Sequence, residues 1–128
     1  GYGVRYKYVR DFSDSLAKQE IEAHLRTGNP VIFVVAAKSR KAGAVANKWT
    51  SGYHCMTMLG MTDTGKVIVA DSVDRSTKTF GNNQRIKYAS LGELIGYMFP
   101  CTNTTSTSIY WGGKASSGGY ILINPQNQ

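Results

Sequence analysis

Sulfur and imidazole are scarce in this sequence, which has two cysteines, Cys55 and Cys101, and two histidines, His24 and His54. None of the four stands in the close CxxC or HxxxH spacing from which metal sites are built, so no metal centre and no cofactor is expected. The cysteines either form one disulfide or stay as free thiols, depending on a Cα separation that sequence does not carry. Long apolar runs are also missing. The longest, VIFVVAA at residues 31–37, falls far short of the ~20 residues a membrane helix needs, so no membrane span is expected. There is no signal-peptide pattern, and the chain opens on Gly1 without a methionine, so Gly1 is expected to follow a cleavage. Acidic residues are few, 8 against 15 lysines and arginines, for a net charge of +7. That excess draws a protein toward polyanions such as nucleic acid, anionic cell wall or acidic membrane. No RNP-type strand, zinc-finger spacing or Walker loop accompanies it, so nucleic acid as a partner is unsupported by motif.

Glycine and tyrosine are plentiful. Fourteen glycines and eight tyrosines in 128 residues, with only 18% charged, indicate strands and turns, and the length suits a single α+β domain. YGVRYKYV alternates Tyr2, Val4, Tyr6 and Tyr8 with Arg5 and Lys7, the pattern of a half-exposed strand. From about Ser15 to Arg26, Leu16, Ala17, Ile21 and Leu25 recur at helical spacing, and Gly28 is placed to stop the helix. VIFVVAA has no polar alternation and predicts a central strand covered on both faces. KSRKAGAVANK holds Lys38, Arg40, Lys41 and Lys48 with no acid and reads as a solvated basic loop. YHCMTMLG and KVIVAD flank MTDTG, whose Asp63 to Gly65 predict an antiparallel hairpin. RIKYA predicts a short strand. SLGELIGYMF has Ser90 and Glu93 in capping-box spacing and predicts a helix ended by Pro100. IYWGGKASSGGYILINP reads as two strands around a glycine-serine loop, a hairpin of the kind that serves as a flap.

The stretch SGYHCMTMLG sets His54 directly beside Cys55. Adjacent strand residues point to opposite faces, so the two cannot serve each other as base and nucleophile. Cys55 shares its face with Tyr53, Thr57 and Leu59, and as a small hydrophobe it is expected in the core. His54 has a better partner. With the turn centred between residues 63 and 64, the mirror position of His54 falls close to Asp71. An Asp71 hydrogen bond to His54 Nδ1 is therefore expected, fixing the tautomer and leaving Nε2 as a general base. The alternative from pattern alone is a partly buried histidine satisfied by any local acceptor.

The string EIEAHLRTGNPVIFVV, a loop, then SGYHCMTMLGMTDTGKVIVADS resembles the C-terminal part of papain-like cysteine peptidases of the bacteriocin-processing, double-glycine-leader type and their broader relatives. The similarity covers residues 18–99. It implies a papain-like fold, an antiparallel sheet packed with a few helices, with His54 as catalytic histidine and Asp71 as the residue that orients it. Tyr53 stands between glycine and histidine where the family usually has GH, and Ser72 follows the aspartate where proline is usual. The family's nucleophilic cysteine lies on a helix upstream of the GNPVI strand, and residues 1–30 contain no cysteine. Cys101 follows Pro100 at the C-terminal end of the expected helix, where the dipole disfavours a thiolate. No GxSxG elbow offers a serine instead. The resemblance thus implies that residues 1–128 form one papain-like domain without its N-terminal cysteine-bearing helix. The cysteine helix is then expected from a preceding segment removed or separated from this chain, which makes a second polypeptide carrying the catalytic cysteine the expected partner.

The expected function is that of the histidine-bearing part of a thiol hydrolase cleaving a peptide or amide bond. Peptide of an anionic bacterial cell wall is the candidate substrate, in an endolysin-like role, with a secreted or cell-envelope location. Two other classes stand beside it: a catalytically inactive papain-like binding module, and a small basic toxin acting on nucleic acid through His54. Thiol-dependent turnover separates the first from the second, and His54-dependent cleavage of RNA or DNA marks the third.

Overall fold

A computed structural model describes residues 3–72, 85–100 and 118–125. These form the strands β1 (Tyr6–Val9), β2 (Val31–Ala36), β3 (Tyr53–Met61), β4 (Lys66–Ala70), β5 (Ile86–Ser90) and β6 (Tyr120–Ile123). Two helices, α1 (Asp14–Arg26) and α2 (Leu91–Tyr97), complete the described elements. The strands make one antiparallel sheet in the order β1-β6-β2-β3-β4-β5. This is the expected α+β arrangement, consistent with a papain-like fold.

Local chemistry accounts for the element ends. Ser13 caps α1 by accepting from the Leu16 amide, and Thr27 closes it before Gly28, which takes the left-handed φ of +86°. Ser90 caps α2 by accepting from Glu93 N–H. The β3–β4 turn is held by Thr62, whose carbonyl accepts from Gly65 and whose amide donates to Lys66, with Gly65 at φ +84°. A bulge between Met58 and Gly60 shifts the β3–β4 register by one residue on the turn side.

Both helices pack on one face of the sheet. Ala17, Ile21 and Leu25 of α1 meet Val31, Phe33 and Val35 of β2 and Met56 and Met58 of β3, while Leu94 and Ile95 of α2 join Val67, Val69 and Ala89. The register puts Ile32, Val34, Cys55, Thr57, Ile68, Tyr88, Tyr6 and Tyr8 on the other face. No described helix covers that face. Among the described residues β2 is covered on one side only, where its unbroken apolar run predicts cover on both: Ile32 and Val34 are half-buried. In α1, Leu16 is exposed although it falls in the helical apolar series.

Two further expectations change. The basic loop is not simply solvated. Arg40 donates to the carbonyls of Ile95 and Met98 and pairs with Asp14, and Lys48 pairs with Glu93. The tail hairpin is not formed by β6, because β1 and β2 take both of its edges; the other half of that expectation lies outside the described residues.

Candidate active site

His54 is the second residue of β3, opposite Val35 of β2, and its side chain points to the helix-packed face with only 12% of its surface exposed. Asp71 directly follows β4 and is buried, its amide donating to Arg85 O. The pairs Thr57–Ala70 and Met58–Val69 place Asp71 one step beyond the ladder, diagonal to His54 on the same face. Imidazole and carboxylate meet there at 2.6 Å.

The ring nitrogen that meets Asp71 Oδ1 is Nε2, not the expected Nδ1. A diagonal cross-strand reach spans roughly 7 Å between backbones, so the nitrogen farther from the His54 backbone makes the contact. With Nε2 donating to the carboxylate, Nδ1 carries the free lone pair, and none of the described residues offers it a partner. The ring nitrogen left without a described partner is therefore the one nearer the strand.

Lys87, absent from the sequence expectations, completes the cluster. It lies on β5 with 3% of its surface exposed, and its Nζ donates to Asp71 Oδ2 at 2.7 Å. Alternation in RIKYA marks Lys87 as facing away from Ile86 and Tyr88 but not which face is inward. The structure turns Lys87 and Ala89 inward and leaves Ile86 and Tyr88 exposed.

Cys55 is exposed, not in the core, and no described helix lies over the face it shares with Tyr53 and Leu59. Partial burial of its sulfur pushes the thiol pKa up, which favours the unreactive form. It sits across the sheet from His54, as strand alternation requires. Cys101 lies outside the described residues, so the disulfide alternative does too. Among the described residues no three metal-ligating side chains gather, and no helix is long and apolar enough to cross a membrane.

A second polar cluster sits apart from His54. Glu20 of α1 accepts from Tyr120 Oη at 2.6 Å and from Lys7 Nζ at 3.0 Å. Burial pushes the Glu20 carboxyl up, but the Tyr120 and Lys7 bonds and the Lys7 charge outweigh it and hold the pKa below the usual range. Burial, then the bond to Glu20 and its charge, push the Tyr120 phenol far above its usual value. This cluster borders a groove of about 970 Å³ lined by Val9, Phe12, Ala23 and Leu122. Neither His54 nor Asp71 borders it, so the groove and the candidate chemistry are separate places.

A family model described as Peptidase_C39 like family matches residues 2–94, a span that includes His54, Asp71 and Lys87. Comparison with curated proteins and with solved structures gives no match.

Proposed function

The chain belongs to the Peptidase_C39 like family, which points to a cysteine peptidase type of function, and on that premise we propose that His54 and Asp71 are the base and orienting residue of a thiol hydrolase. The observation that carries the reading is the 2.6 Å contact from His54 Nε2 to Asp71 Oδ1. It leaves the Nδ1 lone pair available to take a proton. The nucleophilic thiol comes from outside the described residues, since Cys55 stands on the opposite face. A segment preceding residue 1 in the protein, or a second polypeptide, is the source of that cysteine we favour, over Cys101.

The chemistry then runs as acyl transfer. His54 Nδ1 takes the thiol proton as sulfur bonds to the carbonyl carbon. The tetrahedral intermediate collapses with the carbon–nitrogen bond breaking, and Nδ1 returns the proton to the leaving amine. Water, deprotonated by the same nitrogen, adds to the thioester carbonyl; the carbon–sulfur bond breaks, the acid leaves and Nδ1 returns the proton to sulfur. The net charge of +7 suits a peptide held on an anionic polymer, and cell-wall peptide is the substrate class we favour, placing the protein outside the cell or at its envelope.

The test uses the naturally produced protein together with whatever polypeptides accompany it, assayed for amine release from cell-wall peptide. His54→Ala is expected to abolish turnover while leaving the circular dichroism spectrum unchanged. Turnover retained in that variant removes the assignment. Cys55→Ser and Cys101→Ser are each expected to retain activity, and loss in Cys101→Ser would bring the nucleophile back into this chain.

A further inference from the structure

We propose that the groove between α1 and the β1–β6 pair binds an uncharged amphiphile, an apolar chain ending in a hydroxyl, and that His24 takes its head. The inference stands apart from the His54 reading, because neither His54 nor Asp71 borders the groove. α1 packs on β2 and β3, and α2 on β2 and β5. The strands β1 and β6 are thus left beside α1 as the floor of a groove of about 970 Å³. Sites for small molecules are concave, of roughly 300–1,000 Å³, and mostly apolar with a few polar groups.

Two independent observations meet in this groove. Its apolar lining follows α1: Val9 and Leu122 come from the strands, and Leu16 and Ala23 from the helix. From Leu16 to Thr27, both of which line it, a helix rises roughly 16 Å. Leu16 is 64% exposed although it belongs to the apolar series of α1, and a chain lying in the groove covers it. The second observation is His24, which also lines the groove and is only 7% exposed. Its Nε2 is buried with no hydrogen-bond partner among the described residues. A polar atom withheld from water without a partner costs the folded chain stability, and a ligand that supplies the partner recovers it. The last torsion of a histidine side chain is broad, so the ring can turn this nitrogen toward a group seated against it.

The charges near His24 select the head. Glu20, one turn before it on α1, pairs with Lys7 at 3.0 Å and accepts from Tyr120 Oη at 2.6 Å. A carboxylate head would face Glu20 and the carbonyl end of α1, and an ammonium head would face Lys7. Asp11 lines the groove from before the start of α1, whereas His24 is in its last turn, so that carboxylate belongs to the opposite end. A hydroxyl carries no charge, and it both donates and accepts. It therefore serves His24 whichever ring nitrogen holds the proton.

The experiment is an NMR titration of the isotope-labelled whole chain with octanol, following the His24 ring and the methyl groups of Leu16, Ala23 and Leu122. Saturable shifts confined to these groups are expected. Octanoate and octylammonium should each bind about tenfold more weakly or worse, since a charged head loses its hydration in the groove. His24→Phe keeps a ring at the position and should weaken octanol roughly tenfold, the size of a bond to a group otherwise left unpaired, with the circular dichroism spectrum unchanged. Ala23→Trp stands at an exposed position of α1, so it tests the place without touching the fold or His24; it should fill the groove and abolish binding. Shifts that do not saturate, an affinity unchanged in His24→Phe or in Ala23→Trp, or octanoate binding as tightly as octanol overturns the inference. Shifts of the same groups with chain concentration alone would make a second copy the occupant and overturn it as well. None of these results touches the His54 assignment, which is read by turnover.

Discussion

The Cys55 thiol and the His54 imidazole leave the same strand in opposite directions, because adjacent side chains alternate across a sheet. Their chemistry is therefore independent, and that has a measurable form. Cys55 is exposed but its thiol is pushed toward the protonated form by partial burial. Iodoacetamide should label it slowly at neutral pH, with a rate that climbs only above the ordinary thiol range near ~8.5, and His54→Ala should leave that rate unchanged. A rate that falls with His54→Ala would mean that the two groups communicate through the sheet. Asp71 was reachable from sequence because a turn near residues 63 and 64 fixes which residues mirror each other, and the register confirms Thr57–Ala70. The choice of ring nitrogen was not, since it depends on a diagonal offset that no residue type encodes. Lys87 was hidden for a different reason. Alternation tells which residues share a face, and only packing tells which face is inside.

Helix α2 has seven residues, too few to hold itself together in water. Its C-terminal carbonyls are held from outside: Arg40 donates through Nε to Met98 O and through Nη2 to Ile95 O, both at 2.7 Å, and the same guanidinium pairs with Asp14 in the first turn of α1. One side chain thus ties the start of one helix to the end of the other. The loop presses close there, because a Cβ on Gly96 would stand 2.8 Å from Ser39 Oγ. Arg40→Ala should cost about 2–3 kcal/mol, as loss of charge-assisted bonds to carbonyls does, read as a lower urea midpoint with unchanged slope. Arg40→Lys should recover only part, since an ammonium cannot reproduce the fork. Asp14→Asn should cost under ~1 kcal/mol, because that end of the pair is half-exposed. A full rescue by lysine would reassign the role to charge alone. The edge strands share a related inversion: β1 and β5 turn Lys7 and Lys87 toward the helices and leave Tyr6, Tyr8, Ile86 and Tyr88 outside. In each the inward lysine has a carboxylate waiting, Glu20 or Asp71. Hydrophobic periodicity finds such strands and cannot orient them.

Across the whole molecule, stability against pH is bounded from both sides by the bond between β6 and α1. Glu20 has its folded pKa below the unfolded one, so the bond's contribution is complete above the ordinary carboxylate value of about 4.3 and is lost as pH falls through the lowered folded value. Tyr120 has its folded pKa above the unfolded one, so its contribution is complete below about pH 10 and is lost as pH rises toward the folded value. A second effect acts on the acid side. The chain already carries +7, and each carboxylate neutralised adds to its self-repulsion. The two acid effects separate in one comparison. Tyr120→Phe removes the hydroxyl and should cost about 1–1.5 kcal/mol at neutral pH. The difference from the native chain should narrow both below about pH 4 and above about pH 10, as the partners lose the charge state that the bond needs. Added salt at low pH should raise the stability of both chains alike, since it screens repulsion and leaves the missing hydroxyl missing. Melting curves of the two chains across pH, with and without salt, decide it: a gap that stays constant into acid would show that the Tyr120 bond does not draw on the Glu20 charge, and that repulsion alone sets the acid limit.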